Sequence, residues 1–576
     1  MRRTRHHRRS QSREQPGATP SSAATSLDGK WGRRDRDALV VIIGAIVACY
    51  FPVFGAGFTN WDDDRFITGN PLFRGSVAGY VVAAFTRVQF QAFHPLHLLS
   101  YLPDRLLWPN QPAGFHALNV ALFALALVLG FLLLRRCVAT WPAVAAILLV
   151  GLHPMAVESV AWVVGRKDVL ALLLLLSTLL VADREPRTTR STVVACGLAL
   201  AACLAKTSAV VLPIVLFAWL HFARQVPVRA ALRRCLPFAG IALLFALPVP
   251  LIWRHNQMIP PGRPLPFVLD VLGTLGIYAS RVVAPVDLSP VYPAMVSGQV
   301  LAGLVTGAAL LAAVAFWHRL PSAAKFALVG FIGCLLPVAN ITPLYFRFAD
   351  RYALLAVAVL AWPVAALLAW PKVVARRIGY VLVPLLLGLE LWTTSHLALA
   401  WKDSLSLWQH AVEVQPRAVF AHLKLGETLR EQGLFREAAA SYLNAGQLEP
   451  GGLKGPAGFL RTMGEKAESE GRISAGSYQQ WEQAIAKPGF DARQMDALID
   501  SVDQSKCHSC AEALLWLALR MFPQPDPTLV ARARIALDRG RTSTAMVYLG
   551  EVRDANAEGL AEIVRALSAP AGEAAR

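Results

Sequence analysis

An all-α, polytopic membrane protein with a water-soluble helical part on its C-terminal side is the fold expected from this chain. Of its 576 residues 55% are hydrophobic and 16% charged, where soluble domains carry about 25% charge. Mean hydropathy is +0.45, and apolar runs of near membrane-spanning length recur up to residue 400. That composition excludes a disordered chain, a collagen and a small disulfide scaffold. Lys and Arg exceed Asp and Glu by 56 − 38 = 18. In a soluble protein such an excess points to nucleic acid, but in a membrane protein it marks the loops that face the cytoplasm. No nucleic-acid partner is expected; membrane lipid is.

Residues 1–37 hold MRRTRHHRRS, a Ser/Thr/Pro-rich stretch and KWGRRDRD, too polar to bury a core and suited to a disordered arm retained in the cytoplasm. A membrane domain over 38–400 follows. Its apolar segments lie at 38–54, 118–134, 142–152, 169–182, 192–205, 209–222, 236–253, 300–317, 326–338, 352–370 and 378–398, about eleven transmembrane helices. Alternation from a cytoplasmic start puts Arg135 and Arg136, Arg184 to Arg190, Arg224 to Arg234, Arg319 with Lys325, and Lys372 to Arg377 inside. Every short inside loop is then basic, as the positive-inside rule requires. Residues 267–286 are apolar enough to span but would invert all that follows, so they are expected as a re-entrant or interfacial helix on the outer surface.

From Trp401 the composition turns soluble and helix-forming. Pro416 and Pro450 lie 34 residues apart, and Leu425, Gly426, Leu429, Gly433, Ala438, Tyr442 and Ala445 fall where a tetratricopeptide repeat places its packing residues. A TPR-like α-helical domain is expected over 401–568, clearest at 417–450, with a disordered tail at 569–576. An odd number of spans places it outside. Cys507-His-Ser-Cys510 reads as a local disulfide, two free thiols or half a metal site.

The chemistry is expected in the outside loops. The first, about 55–115, opens with Trp61, Asp62, Asp63, Asp64 and Arg65. Three adjacent carboxylates repel one another, which suits a base or a metal ligand, the alternative being a solvated capping turn. Further on come His94, Pro95 and His97, then Tyr101, Asp104 and Asn119. The next outside segment holds His153, Glu158, Arg166, Lys167 and Asp168. Ionisable groups at a membrane edge are costly and usually surround a functional cavity. Arg166, Lys167, Lys206, Arg347 and Arg351 can supply positive charge to a phosphate. The sequence contains no P-loop, dinucleotide fingerprint, nucleophile elbow or H-E-x-x-H motif. An energy-rich substrate delivered from the membrane, a lipid phosphate, is therefore expected in place of a nucleotide.

The succession NWDDDRFITGNP, FHPLHLLSY, GFHALNV, LHPMAVESVAWVVGRKDVL, LAKTSAVVLP and ADRY, followed by a repeat, resembles the transmembrane and tetratricopeptide-repeat O-mannosyltransferases and their bacterial relatives in the C-type (GT-C) glycosyltransferase superfamily. The resemblance covers roughly residues 40 to 450, and its most specific element is the HP-x4-ES-x-AW-x3-GRKD block. It implies a GT-C-like membrane fold, an active site on the outer face and a polyprenyl-phosphate sugar donor. It further implies Asp62 and Asp63 as catalytic acids, one deprotonating the acceptor hydroxyl. Arg166, Lys167, Lys206 and Arg351 would then bind the donor phosphate, and His94, His153, Glu158 and Asp168 would support the substrate site. No cofactor is required, although Asp62, Asp63 and Asp64 leave room for a divalent Mg or Mn.

The reading these residues support is a hexosyltransferase of the bacterial inner membrane, moving a hexose such as mannose to a protein or glycan acceptor presented by a periplasmic repeat domain. The rival is a non-catalytic, membrane-anchored repeat scaffold for envelope assembly, in which the outer polar residues would be dispensable.

Overall fold

The computed structural model describes residues 32–88, 93–109, 111–255, 265–293, 296–370 and 373–449, with a few isolated positions up to 462. Every regular element among them is helical. The longer helices are α1 Arg33–Cys49, α2 Pro112–Leu134, α3 Thr140–Gly151, α4 Arg166–Ala182, α5 Thr189–Ala205, α6 Val228–Ala246, α7 Phe267–Val283, α8 Val296–Ala315, α9 Ser322–Leu335, α10 Val373–Ala400, α11 Ser404–Val414, α12 Val419–Glu431 and α13 Phe435–Leu448.

Among the described residues four helices are long and apolar enough to cross a membrane: Pro112–Leu134, Val228–Ile252, Ser297–Ala315 and Val381–Ala400. Two bent pairs, Thr140–Gly151 with Pro154–Ala161 and Asp350–Val359 with Ala361–Leu368, raise the number to six if each crosses as one. The other five segments expected to span are α1, α4, α5, Thr207–Ala223 and Ser322–Val338, each of 17 residues or fewer. At 1.5 Å per residue such a helix is about 25 Å long, short of the roughly 30 Å of hydrocarbon. Length therefore separates these five from the six.

Small residues set the closest approaches in the bundle. A Cβ on Gly151 would lie 2.5 Å from the Leu127 Cδ1 of α2 and 3.0 Å from the Ile46 Cδ1 of α1, so a larger residue there would push those side chains aside. The loops expected on the inner side collect at one end of the bundle. Asp35 accepts from Arg135 Nε at 2.9 Å and from Thr140 Oγ1 at 3.0 Å. Asp183 accepts from Arg136 at 2.9 Å and Arg224 at 3.1 Å, and Gln225 reaches Ser322 at 3.3 Å. Helix α1 already begins at Arg33, so residues 33–37, expected in the arm, are helical. The Asp35 carboxylate accepts from the Gly32 N–H and anchors that first turn.

Helix α7 occupies the stretch expected as interfacial. Its Tyr278 hydroxyl bonds the Ala349 backbone at 3.2 Å, its Asp270 pairs with Arg347, and its Thr274 accepts from Asn340 at 3.1 Å. It thus lies along the segment 340–350, at the end opposite the basic loops.

Three helices follow the last span. Asp403 caps α11, accepting from Ser406 N–H at 2.8 Å. Between α12 and α13 the chain turns at Gly433, whose φ of +76° favours glycine. Gly426 and Tyr442 meet across this hairpin, where a Cβ on Gly426 would stand 2.9 Å from the Tyr442 ring. The rest of the expected array, the Cys507 and Cys510 pair, the tail and residues 1–31 of the arm lie outside the described residues.

Candidate active site

The acidic run lies where a helical turn at Phe51–Gly55 leads into the short helix Asp64–Thr68. Asp62 has a left-handed backbone, φ +74°, a conformation that costs a non-glycine residue of order 1–3 kcal/mol and gathers at functional sites. Its carboxylate remains reachable, 3.6 Å from Arg65. Asp63 turns inward and is 1% exposed. Its Oδ2 accepts from the Thr59 N–H at 2.8 Å and from the Thr59 hydroxyl at 3.0 Å. Burial pushes its pKa up to about 7, and the Asp62 charge adds to the rise while the Thr59 and Val164 bonds oppose it. Asp64 is exposed.

The three carboxylates have separate surroundings. Among the described residues no three His, Cys, Asp or Glu side chains converge as they would around a metal ion. A Mg or Mn ion held by all of Asp62, Asp63 and Asp64 does not fit that divergence.

Arg166 and Lys167 are adjacent in sequence and opposite in circumstance. Arg166 is wholly buried. Its guanidinium takes both oxygens of Asp104 and donates to Asn119 Oδ1 at 2.6 Å, the Phe115 carbonyl at 2.9 Å and the Ser100 carbonyl at 2.9 Å. All five donors of an arginine are thereby used, leaving none for a phosphate. Asn119 passes the connection on, donating to the Trp162 carbonyl at 3.0 Å. Lys167, by contrast, has its Nζ 4.7 Å from the Trp162 ring and 5.9 Å from the Phe66 ring. It has no ion pair or hydrogen bond among the described residues. Asp62 is near enough for its charge to act on this ammonium.

Lys206, just after α5, pairs with Asp168 of α4 and lies 5.8 Å from the Tyr352 ring. The second oxygen of Asp168 has no partner among the described residues. Arg351 donates its backbone N–H to Glu158 at 2.8 Å and its guanidinium to the other oxygen of the same carboxylate. The rings of Trp61, Trp162, Phe346 and Tyr352 surround it at 5.0 to 5.8 Å. His94 Nε2 accepts from the Thr207 N–H at 3.1 Å, tying the first outside loop to the residue after Lys206. Burial first, then Lys167 and Lys206, push the pKa of His94 down to about 3, so it is neutral and acts as an acceptor. His153 donates from Nε2 to the Val282 carbonyl at 3.0 Å and accepts on Nδ1 from Met155, bridging the bend after α3 to α7.

Asp168, Lys206, Ser208, Arg351 and Tyr352 line a cleft with about 290 Å³ of empty space. Two more of its lining residues, Cys334 and Leu355, also line an apolar cavity among Leu127, Gly130, Leu175, Trp219 and Trp362. A cleft lined by two cations thus shares two wall residues with an apolar cavity.

Asp62, Lys167, Lys206, Arg351, Glu158, Asp168 and His94 are brought into one neighbourhood, with Asp63 and Arg166 buried beside it and His153 on the α7 flank. Several participants carry no local sequence signal. Thr59 and Asn119 are ordinary polar residues until their partners are known. Asp270 looks like one charge in an apolar helix, which is itself a hint that an arginine must meet it.

The arrangement defines a polytopic helical membrane protein with a cationic cleft and a reachable carboxylate at one end. No family model matches the chain. Protein O-mannosyl-transferase TMTC3 of Homo sapiens is 26% identical over 157 residues, 26% of this chain and 17% of that protein. Protein O-mannosyl-transferase Tmtc1 of Drosophila melanogaster is 30% identical over 207 residues, 33% and 24% respectively. TMTC1 of Mus musculus is 31% identical over 164 residues, 26% and 17%. The matched part spans about a fifth of the length of these relatives.

Proposed function

We propose that the chain is a membrane hexosyltransferase that takes a hexose, mannose in the simplest case, from a polyprenyl-phosphate carrier and transfers it to an acceptor hydroxyl of a protein. The observation that carries this reading is an apolar cavity and a cleft lined by Lys206 and Arg351 that share Cys334 and Leu355 as wall residues, near a lysine with no ion pair among the described residues and a strained, reachable aspartate. A prenyl chain needs the first, its phosphate the second, and an attacking hydroxyl the aspartate.

In this mechanism Asp62 takes the proton of the acceptor hydroxyl as the oxygen attacks the anomeric carbon. The bond from that carbon to the phosphate oxygen breaks, and the phosphate departs on the lipid with its charge facing Lys167 and Lys206. Asp168 and Glu158 hold Lys206 and Arg351 in place, and His94 fixes the loop that carries Lys206. Arg166 organises the floor of the site and does not touch the phosphate. Asp63 anchors the turn on which Asp62 stands. The proposal retains eleven spans, with the basic loops in the bacterial cytoplasm and the site with the TPR-like helices in the periplasm. The meeting of the basic loops at one end of the bundle supports that orientation.

Membranes containing the full chain, supplied with polyprenyl-phosphate mannose labelled in the sugar, should pass label into the protein fraction. No transfer to protein, lipid or glycan, together with no binding of polyprenyl phosphate, would favour the scaffold reading.

A further inference from the structure

We propose that helices α11 and α12 are part of the frame of the active site, and that Asn60 is the positioning residue through which they hold the acidic run. This rests on the assignment of that run to proton transfer.

Asn60 stands two residues before Asp62 and spends its backbone donor and both ends of its side-chain amide on the C-terminal helices. Its backbone N–H donates to Ser404 Oγ at 2.9 Å. Its Oδ1 accepts from Trp408 Nε1 at 2.5 Å, and its Nδ2 donates to Thr428 Oγ1 at 3.0 Å. The Thr428 hydroxyl donates in turn to the Lys424 carbonyl at 2.9 Å, which turns its lone pairs toward the amide. The position requires one acceptor and one donor on a short planar side chain. Asn provides both; Asp provides two acceptors and would face the Thr428 oxygen with no proton between them.

Neighbouring residues repeat the connection. Gly57 N–H donates to the Lys402 carbonyl at 2.8 Å. Trp61 is buried, its ring 5.4 Å from Trp408, 5.4 Å from Phe420 and 5.2 Å from Phe346. Past Asp62 the chain is fastened back on itself through Asp63 and Thr59. The left-handed turn at Asp62 is thus gripped on one side by helices at least 344 positions away in sequence and on the other by its own loop. A strained turn persists only where its surroundings over-determine it, and here much of the constraint comes from α11 and α12. Anything that shifts those helices, a bound acceptor included, shifts the carboxylate.

The test uses the full chain in lipid nanodiscs and two variants that each remove a bond, Asn60→Asp at constant side-chain volume and Trp408→Phe with a smaller ring. Amide exchange over residues 57–68 should rise about tenfold or more in both, with exchange over 166–182 unchanged. The turnover rate with polyprenyl-phosphate mannose in membranes should fall about 10- to 100-fold, as displacement of a reacting group by an ångström does, with KM for the lipid within about twofold. Asp62→Asn should abolish transfer and leave exchange as it was, since Asn tolerates the left-handed region. Unchanged exchange or unchanged turnover in both Trp408→Phe and Asn60→Asp would overturn the proposal. Raised exchange in these variants, with full transfer in Asp62→Asn, would keep the clamp and refute the base. If either variant fails to fold, Ser404→Ala, which removes a single bond at the start of α11, should still raise exchange about threefold; no rise there would count against the clamp.

Discussion

The two ends of the helical bundle are both rich in charge and use it differently. At the end that collects the basic loops, the buried acids are held by arginines. Asp183 holds Arg136 and Arg224, and Asp35 holds Arg135. These groups are partly open to solvent and lock neighbouring loops together. At the outer end such pairing fails in particular places. Arg166 with Asp104, and Arg351 with Glu158, are closed pairs, but Lys167 has aromatic rings and no ion pair among the described residues, and Asp62, which acts on it by charge alone, sits on a strained turn 3.6 Å from an exposed arginine. Matched charges hold a structure together; a lysine and an aspartate left outside such pairs are, in the mechanism proposed, the groups that meet the substrate.

The sharpest break in that contrast comes from removing one partner of a pair at each end. Arg166→Met leaves Asp104 charged and dry, a loss of about 3–5 kcal/mol, so little folded protein should be recovered from membranes. Arg224→Met at the inner end leaves Asp183 with Arg136 and some solvent, and should cost less than about 1 kcal/mol. Thermal unfolding in detergent checks both.

Within the outer end, Lys167→Met should leave the unfolding temperature unchanged or slightly higher, because an ammonium without a partner leaves the interior. Transfer from polyprenyl-phosphate mannose should fall about 10- to 100-fold, the worth of one charge-assisted contact to a departing phosphate at about 1.5–3 kcal/mol. Loss of fold instead of rate would return Lys167 to the structural class.

A smaller effect follows pH. The folded pKa of Asp63 is raised to about 7 from an ordinary value near 4. Its contribution to stability is therefore complete below about pH 4 and is lost as pH climbs to 7. Transfer should run the other way: the ionised carboxylate makes stronger, charge-assisted bonds to Thr59, so the rate should climb severalfold through pH 7. In Asp63→Asn both trends should flatten. Smallest of all, EDTA should leave the rate within about twofold, because the three carboxylates of the run do not share a site.

Much of this was legible in the chain, for physical reasons. Apolar runs and basic loops report the helices and their common ends because hydrophobic length and loop charge are local properties. The HP-x4-ES-x-AW-x3-GRKD block and the acidic run lie together in the fold, with the Trp61 and Trp162 rings 6.1 Å apart. What could not be read was who pairs with whom. In that block Arg166 and Lys167 look interchangeable; only the fold shows that Asp104, 62 positions earlier, takes one and leaves the other. Asp62 and Asp63 look equivalent until Thr59 draws one inward. The 17-residue segments carry the same apolar signal as the longer helices, because an apolar count does not measure helix length against hydrocarbon. Asn60 opens the NWDDDRFITGNP segment, but its role could not be read there, since its partners lie in α11 and α12.

The central claim is that Asp62 removes a proton while a hexose leaves a polyprenyl phosphate. It is tested most directly by sugar-labelled polyprenyl-phosphate mannose in membranes holding equal amounts of wild-type chain or Asp62→Asn, with label counted in protein, lipid and glycan fractions. The account predicts transfer by the wild type and a loss of about 10²- to 10⁴-fold in the variant, with binding of polyprenyl phosphate retained. Equal incorporation by the two proteins would contradict it.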